Sequence, residues 1–206
     1  MRVASLAHWV ARTSPALHRL LQPPWRVVKR LLAVEDPWEQ RKHFKYYGEV
    51  VRLARAHVPD GKQVLDVGPG RSDMLERLDW FERRVAVDRS YAPRRAGVET
   101  VIADFLDYRP DTRFDLVLCL EVLEHLEDPG PFARKLLASG RTVIISVPYR
   151  WPPGTWATHR QDPVDEVKLL GWTGRAPVAT SIVADGRERL ISVYRSGSAA
   201  GNPVTD

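Results

Sequence analysis

VLDVGPGRS, at residues 64–72, is the stretch that decides the fold of this chain. An apolar run ends at Asp66, the turn Gly68-Pro69-Gly70 follows, and a segment suited to a helix start comes next. Glycine lets a ligand approach the backbone, and the first turn of a helix offers free N–H groups at the positive end of its dipole. The stretch therefore predicts a strand, a tight loop and a helix N-terminus that face a ligand.

Segments typical of strands and helices alternate through the rest of the chain. We expect helices over 71–81 and 129–139, and strands near 63–67, 83–88, 98–102, 114–120 and 141–147. Alternation with near-continuous apolar strands predicts a mostly parallel sheet with helices on both faces. Two more strands, 177–184 and 188–195, are joined around Asp185-Gly186 and predict a terminal antiparallel hairpin.

Four carboxylates lie at or near the ends of the predicted strands: Asp66, Asp88, Asp104 and Glu121. Ligands of open α/β sheets bind beyond the carboxyl ends of the strands, near the point where the strand order reverses. A dinucleotide is disfavoured as that ligand, because its fingerprint needs a small residue where this chain has Asp73. The negative charge of Asp73 would repel a pyrophosphate.

These segments resemble the class I S-adenosylmethionine-dependent methyltransferases. The matching stretches are VLDVGPGRS (64–72), VAVD (85–88), ADF (103–105), FDLVLCLEVLEHLEDP (114–129) and GRTVIISVP (140–148). The run from Glu121 to Leu126 is similar to the small-molecule branch, which includes ubiquinone-type and natural-product methyltransferases. Ser72 departs from the commonest family form, which has a third glycine. The resemblance implies a Rossmann-like three-layer α/β sandwich with a seven-stranded sheet.

The resemblance also implies S-adenosylmethionine (SAM) as cofactor, S-adenosylhomocysteine (SAH) as product, and a role for each matching residue. The glycines let the amino-acid part of SAM approach, and Asp66 orients the loop and helps to hold the cationic amine. Asp88 accepts the ribose hydroxyls, Asp104 accepts the adenine amino proton, and Phe105 lies against the ring. The expected cofactor-binding residues are Asp66, Gly68, Pro69, Gly70, Asp88, Arg89, Asp104, Phe105, Leu120 and Glu121.

Two histidines are candidates for the general base that a hydroxyl acceptor needs, whereas a neutral amine needs less help. His125 follows the fourth strand, and His159 lies after the fifth, with Asp162 three residues beyond it to orient the imidazole. A structural role stays open for each. We expect no metal site, because His159 and Asp162 are only two ligands and no matching cluster is evident elsewhere.

Residues 148–162 are the least regular stretch and carry the expected acceptor site. Tyr149, Trp151 and Trp156, together with Trp172, predict an aromatic pocket for a small molecule, and packing of a lid is the alternative.

The N-terminal part of the chain differs from the rest in its charge. Residues 1–58 hold 11 Lys or Arg against 4 Asp or Glu, whereas the whole chain has a net charge of +5. Residues 15–32 mix apolar and basic side chains, and a helical cap, a peripheral membrane contact and a mitochondrial targeting segment all stay open. A helix is expected from Asp36 to about His57. We therefore divide the chain into a helical cap (1–58), a methyltransferase domain (59–196) and a disordered tail (197–206).

The sequence as a whole predicts an enzyme that moves a methyl group from SAM to an O or N atom of a small-molecule acceptor. A peripheral-membrane lipid or quinone methyltransferase and a non-catalytic SAM-binding regulatory protein are the alternatives. The chain has no recognisable nucleic-acid-binding module, its single cysteine allows no internal disulfide, and no apolar stretch reaches ~18 residues. We expect a cytoplasmic location, with membrane contact as the alternative, and the sequence does not indicate an oligomeric state.

Overall fold

A computed structural model describes residues 43–91 and 95–196. The chain divides into two units, Met1–Gln40 and Arg41–Asp206, and the fold below is that of the second. The elements run in the order α1 (Lys45–His57), β1 (Gln63–Val67), α2 (Met74–Arg77), β2 (Arg83–Asp88), β3 (Glu99–Ile102), β4 (Phe114–Leu120), a 3-10 turn (Leu123–His125), α3 (Pro129–Ser139), β5 (Gly140–Pro148), α4 (Glu166–Thr173), β6 (Ala179–Asp185) and β7 (Arg187–Arg195). The segment 15–32 and the tail 197–206 lie outside the described residues.

The seven strands form one sheet in the order β3-β2-β1-β4-β5-β7-β6. Neighbouring strands from β3 to β5 are parallel, while β7 runs antiparallel to β5 and to β6. The predicted sheet and its terminal hairpin are thus confirmed. Because the chain leaves β1 towards β2 and returns to its other side at β4, the strand order reverses between β1 and β4. A ligand crevice is expected at the carboxyl ends of these two strands.

Both faces of the sheet are buried, which explains the continuous apolar strands. Leu65 and Val67 of β1 pack in one core cluster, and Val64 packs in the other. Alternate residues of a strand point to opposite faces, so a sheet covered on both faces needs apolar residues at nearly every position. Helix α1 contributes Tyr46 and Tyr47 to the second cluster and therefore packs against the sheet.

Two helices are shorter than expected. The helix predicted at 71–81 is confined to Met74–Arg77, because the chain turns at buried Leu78, whose carbonyl accepts a hydrogen bond from the Phe81 N–H. The helix predicted from Asp36 begins only at Lys45, since Phe44 has an extended backbone. The Asp36 start itself lies outside the described residues. In the described part of the chain, no helix is long and apolar enough to cross a membrane.

Candidate active site

The loop after β1 brings bare backbone to the point where the strand order reverses. Gly68 and Gly70 have φ of 73° and 55°, a region that side chains rarely adopt. A Cβ on Gly68 would lie 2.7 Å from a methyl carbon of Val122, which follows β4. The Gly68 N–H also donates to the Val87 carbonyl at 2.8 Å. Only glycine therefore fits at position 68, and the loop is held between β2 and the segment that follows β4.

Asp66 lies beneath this loop in an apolar environment. Its side chain is 1% exposed, and its Oδ2 has no hydrogen-bond partner within the described residues. Burial, and secondly the negative charge of Asp88, raise the pKa of Asp66 to about 7. A buried carboxyl oxygen without a partner is costly, so the site favours a ligand that supplies a donor or a positive charge.

The carboxylates at the ends of β2 and β3 each shape a turn. One oxygen of Asp88 accepts the N–H groups of Ser90 and Tyr91 at 2.9 and 3.0 Å. One oxygen of Asp104 accepts the Leu106 N–H at 2.8 Å. Within the described residues, the second oxygen of each carboxylate makes no hydrogen bond. Each carboxylate is thus held in place through one oxygen alone.

Phe105 lies deeper than its expected position against an adenine ring. The side chain is buried, and its ring packs on Phe132 with the centroids 4.9 Å apart. The ammonium group of Lys135 lies 5.0 Å from its centroid. Phe105 therefore belongs to the core beneath the β3 loop, and its contact with adenine stays a prediction.

His159, His125 and Asp162 come together beyond the ends of β4 and β5. The Nδ1 of His159 lies 2.8 Å from the Asp162 Oδ2, and both side chains are buried. The two imidazole centroids are 4.8 Å apart, and Trp151 stacks on His159 at 5.7 Å. The Nδ1 of His125 lies 3.1 Å from the Thr158 carbonyl. Since carbonyl and carboxylate oxygens accept hydrogen bonds, each Nδ1 carries the proton, and in the neutral rings each Nε2 keeps its lone pair.

Glu124 completes this group, which we call the histidine cluster (Glu124, His125, His159 and Asp162). Its side chain is fully buried, and one ligand atom from each of Glu124, His125 and His159 lies within 4.8 Å of the others. The Glu124 carbonyl accepts the N–H groups of Arg160 and Gln161 at 2.8 and 3.2 Å. The loop after β5 is therefore fastened to the turn after β4.

Glu121 occupies the carboxyl end of β4 in an unusual conformation. Its φ is 58°, in the left-handed region that is strained for a non-glycine residue. Ser146 Oγ of β5 donates to one carboxylate oxygen at 3.0 Å, and Arg189 Nε of β7 donates to the other at 3.2 Å. The neighbouring strands thus hold Glu121 in this conformation.

A family profile described as a methyltransferase domain matches residues 38–190. The chain belongs to the methyltransferase domain family. Among curated proteins, a ubiquinone biosynthesis O-methyltransferase from Azotobacter vinelandii is 34% identical, and the match covers 56% of this chain and 59% of that protein. Its mitochondrial counterpart from Schizosaccharomyces pombe is 32% identical, and that match covers 42% of this chain and 38% of that protein. The chain thus spans about half the length of these relatives.

Solved structures show the same fold. The 1,6-didemethyltoxoflavin-N1-methyltransferase of Burkholderia thailandensis, with bound SAH, matches with a TM-score of 0.61 at 24% identity, over 85% of this chain and 91% of that one. The N-methyltransferase NodS of Bradyrhizobium japonicum, also with SAH, gives 0.60 at 16% identity over 84% and 92%. The predicted methyltransferase family and its Rossmann-like fold are confirmed.

Two residues of the candidate site, Glu124 and Arg189, were not predicted from the sequence. Glu124 precedes His125 directly within the run from Glu121 to Leu126, so its position in the sequence could have indicated that it lies near the site. No local signal marks Arg189, which reaches Glu121 from 68 residues further along the chain. The fold places a third potential ligand, Glu124, beside His125 and His159, and the expectation of no metal site stays a prediction. The residue roles in catalysis and in cofactor binding stay predictions.

Proposed function

We propose that this methyltransferase transfers a methyl group from SAM to a hydroxyl group of a small-molecule acceptor, with His159 as the general base. The observation that carries the proposal is the buried hydrogen bond between His159 and Asp162. A carboxylate at Nδ1 fixes the tautomer, turns the Nε2 lone pair towards the acceptor, and stabilises the imidazolium that forms on proton transfer.

We place the cofactor across the carboxyl ends of β1, β2 and β4. Asp66 receives the cationic amine of SAM beneath the glycine loop, and the open oxygen of Asp88 accepts from the ribose. Asp104 stands at the adenine end. The glycine loop, Arg89, Leu120 and Glu121 complete the contacts. Two observations support this placement. The Oδ2 of Asp66 has no partner within the described residues, and Asp88 and Asp104 each use only one carboxylate oxygen to bind their turn.

The reaction requires two things of the protein: alignment of the acceptor with the methyl group, and one group that accepts a proton. The acceptor oxygen attacks the methyl carbon in line with the sulfonium, an O–C bond forms, and the C–S bond breaks with its electron pair on sulfur. The hydroxyl proton passes to His159 Nε2, and SAH leaves as a neutral thioether. Positioning in a water-excluded site supplies most of the rate enhancement, and the base adds about 10²–10⁴-fold.

An oxygen acceptor is favoured over nitrogen by the relatives and by the base itself. The curated relatives are named O-methyltransferases, whereas the N-methyltransferase structures are too distant in sequence to indicate more than fold. A buried, carboxylate-held imidazole is what a hydroxyl requires and a neutral amine does not.

The proposal is tested first by calorimetric titration of the full chain with SAM and with SAH. We expect micromolar binding of both, and weaker binding in Asp88→Ala. Radiolabelled SAM is then offered with catechols and with primary amines. Transfer to a catechol supports the proposal, transfer only to an amine contradicts the acceptor atom, and SAH binding without turnover on any acceptor favours the regulatory alternative.

A cation-assisted reaction is a second candidate, favoured by the histidine cluster. Glu124, His125 and His159 would hold a divalent ion through one carboxylate oxygen and two Nε2 atoms, and the Asp162 and Thr158 oxygens behind the rings are typical partners of metal-binding histidines. Such an ion would lower the pKa of a hydroxyl bound to it. Turnover by wild type and by His125→Ala is measured with added Mn²⁺ or Zn²⁺ and again after EDTA treatment. This comparison separates the two mechanisms. Turnover that survives EDTA treatment would leave His159 as the base.

A lipid-quinone acceptor is the variant of this function that the relatives' names favour. In it, residues 15–32 would contact the membrane. Co-sedimentation with anionic phospholipid vesicles compares the full chain with a chain lacking residues 1–34. Equal binding by the two would contradict a membrane role for the N-terminal segment.

A further inference from the structure

Arg189 connects the end of β4 to three aromatic residues of the site. Its Nε donates to Glu121, and its Nη1 donates to the Arg187 carbonyl at 3.3 Å. The guanidinium carbon lies 4.7 Å from the ring centroid of Tyr46 in α1 and 5.4 Å from that of Trp151. The ring of Phe44 is 5.1 Å away. The guanidinium is thus held on several sides and has little freedom to turn.

The strand register explains how Arg189 reaches Glu121. Arg189 of β7 pairs with Pro148 of β5, and Ser146 of β5 pairs with Leu120 of β4. The start of β7, the end of β5 and the end of β4 therefore meet at one edge of the sheet. Arg189 and Glu121 are 7% and 9% exposed, so their ion pair is shielded from water.

Glu121 would not keep its conformation without such partners. Its left-handed backbone is unfavourable for a residue with a Cβ and persists only where the surroundings impose it. The Glu121 N–H donates to the Ser146 carbonyl at 3.0 Å, which fixes the backbone. The carboxylate is fixed by Ser146 and Arg189. The contact with Arg189 supplies a positive charge to the carboxylate.

We propose that Arg189 is a positioning residue that holds Glu121 in its left-handed conformation and thereby shapes the cofactor side of the β4 end. The inference rests on the proposed binding of SAM, to which Glu121 contributes. Arg189 is assigned no contact with SAM or acceptor, so its effect on cofactor affinity must pass through Glu121.

A double-mutant cycle with SAH calorimetry tests this inference. We expect Arg189→Met to weaken SAH binding tenfold or more in the wild-type background and less than twofold in the Glu121→Gln background, because residues that act as a unit are not additive. Arg187→Met is the matched control. Its guanidinium also lies over Trp151, at 5.3 Å, and within the described residues it makes no hydrogen bond or ion pair with Glu121, so we expect SAH binding within twofold of wild type.

Melting temperatures measured on the same variants separate positioning from stability. A purely structural role would lower the Tm and leave the affinity of the folded protein unchanged, and that result would overturn the inference. Equal losses of affinity in the two backgrounds would also overturn it. Where Arg189→Met does not fold, Arg189→Lys replaces it in the cycle, because Lys keeps the charge but lacks the planar guanidinium. Absence of SAH binding in wild type would instead count against the proposed function itself.

Discussion

The two halves of the site differ in how their polar groups are satisfied. On the cofactor side, at β1 to β3, Asp66, Asp88 and Asp104 each keep an oxygen without a partner in the described part of the chain. On the acceptor side, in the loops after β4 and β5, the side chains are bound by protein groups. His159 Nδ1 binds Asp162 at 2.8 Å, and His125 Nδ1 binds the Thr158 carbonyl at 3.1 Å.

This difference indicates two ways of preparing a site for a ligand. The cofactor side has one buried oxygen, Asp66 Oδ2, that is costly to leave without a partner, and two turn carboxylates whose second oxygens are open to a ligand or to water. The acceptor side has fixed geometry, so its side chains need not reorganise during the reaction. A variant on the first side should therefore change affinity, and a variant on the second should change turnover.

The largest effect is expected from His159→Ala on the acceptor side. Loss of the general base should lower kcat by about 10²–10⁴-fold, while SAM affinity should stay within threefold of wild type. Steady-state kinetics with the best hydroxyl acceptor and SAM calorimetry measure the two quantities. His57→Ala, at the end of α1, is the matched control. A normal kcat in His159→Ala would show that His159 is not the general base. It would also contradict the expectation that variants on the acceptor side change turnover.

Asp66 makes the cofactor side sensitive to pH. Its folded pKa of about 7 lies above its usual 3.8, so the folded state binds the proton more tightly than the unfolded state does. The stability that Asp66 contributes is therefore complete below pH 4 and is lost as the pH rises towards 7. At 1.36 kcal/mol for each unit of pKa shift, the loss is at most about 4 kcal/mol.

Urea denaturation of wild type and Asp66→Asn at pH 5 and pH 8 measures this effect. Wild type should lose unfolding free energy relative to the variant between the two pH values. SAM should bind wild type more tightly at pH 8, because the ionised carboxylate attracts its amine. Parallel pH profiles for the two proteins would show that Asp66 does not titrate in this range.

The same contrast explains what the sequence could predict. A mostly parallel sheet follows from the alternation of segments typical of strands and helices, and the carboxylates of the cofactor side lie at or just beyond the strand ends, so local patterns located them. The acceptor side and the end of β4 depend on long-range contacts: Gln161 binds the Leu126 carbonyl from 35 residues away, and Arg189 binds Glu121 from 68 residues away. Local periodicity carries no information about such pairs. The pairing of His159 with Asp162 could be predicted because the two residues are only three positions apart in the sequence.

Asp88→Ala tests whether the open oxygens of the cofactor side bind SAM. Removing a carboxylate that accepts from a ligand should weaken SAM binding by on the order of 1–3 kcal/mol, with kcat at saturating SAM little changed. Asp111→Ala is the matched control, since Asp111 is an exposed carboxylate bound to Arg83. An unchanged SAM affinity in Asp88→Ala would mean that the ribose lies elsewhere.

The smallest effect is expected where the two sides touch, at Gly68. Gly68→Ala would place a methyl group 2.7 Å from Val122, whereas Gly186→Ala would meet nothing within 4 Å. The two glycines have nearly the same φ, 73° and 74°, so both variants place an alanine in the left-handed region. The difference between their unfolding free energies therefore isolates the clash, which should cost about 1–3 kcal/mol, as overpacking typically does. SAM affinity should fall only in Gly68→Ala, because the displaced loop is the one that faces the cofactor. Equal stability and equal SAM affinity in the two variants would show that Val122 can move aside, and that the β1 loop is not held against the segment after β4.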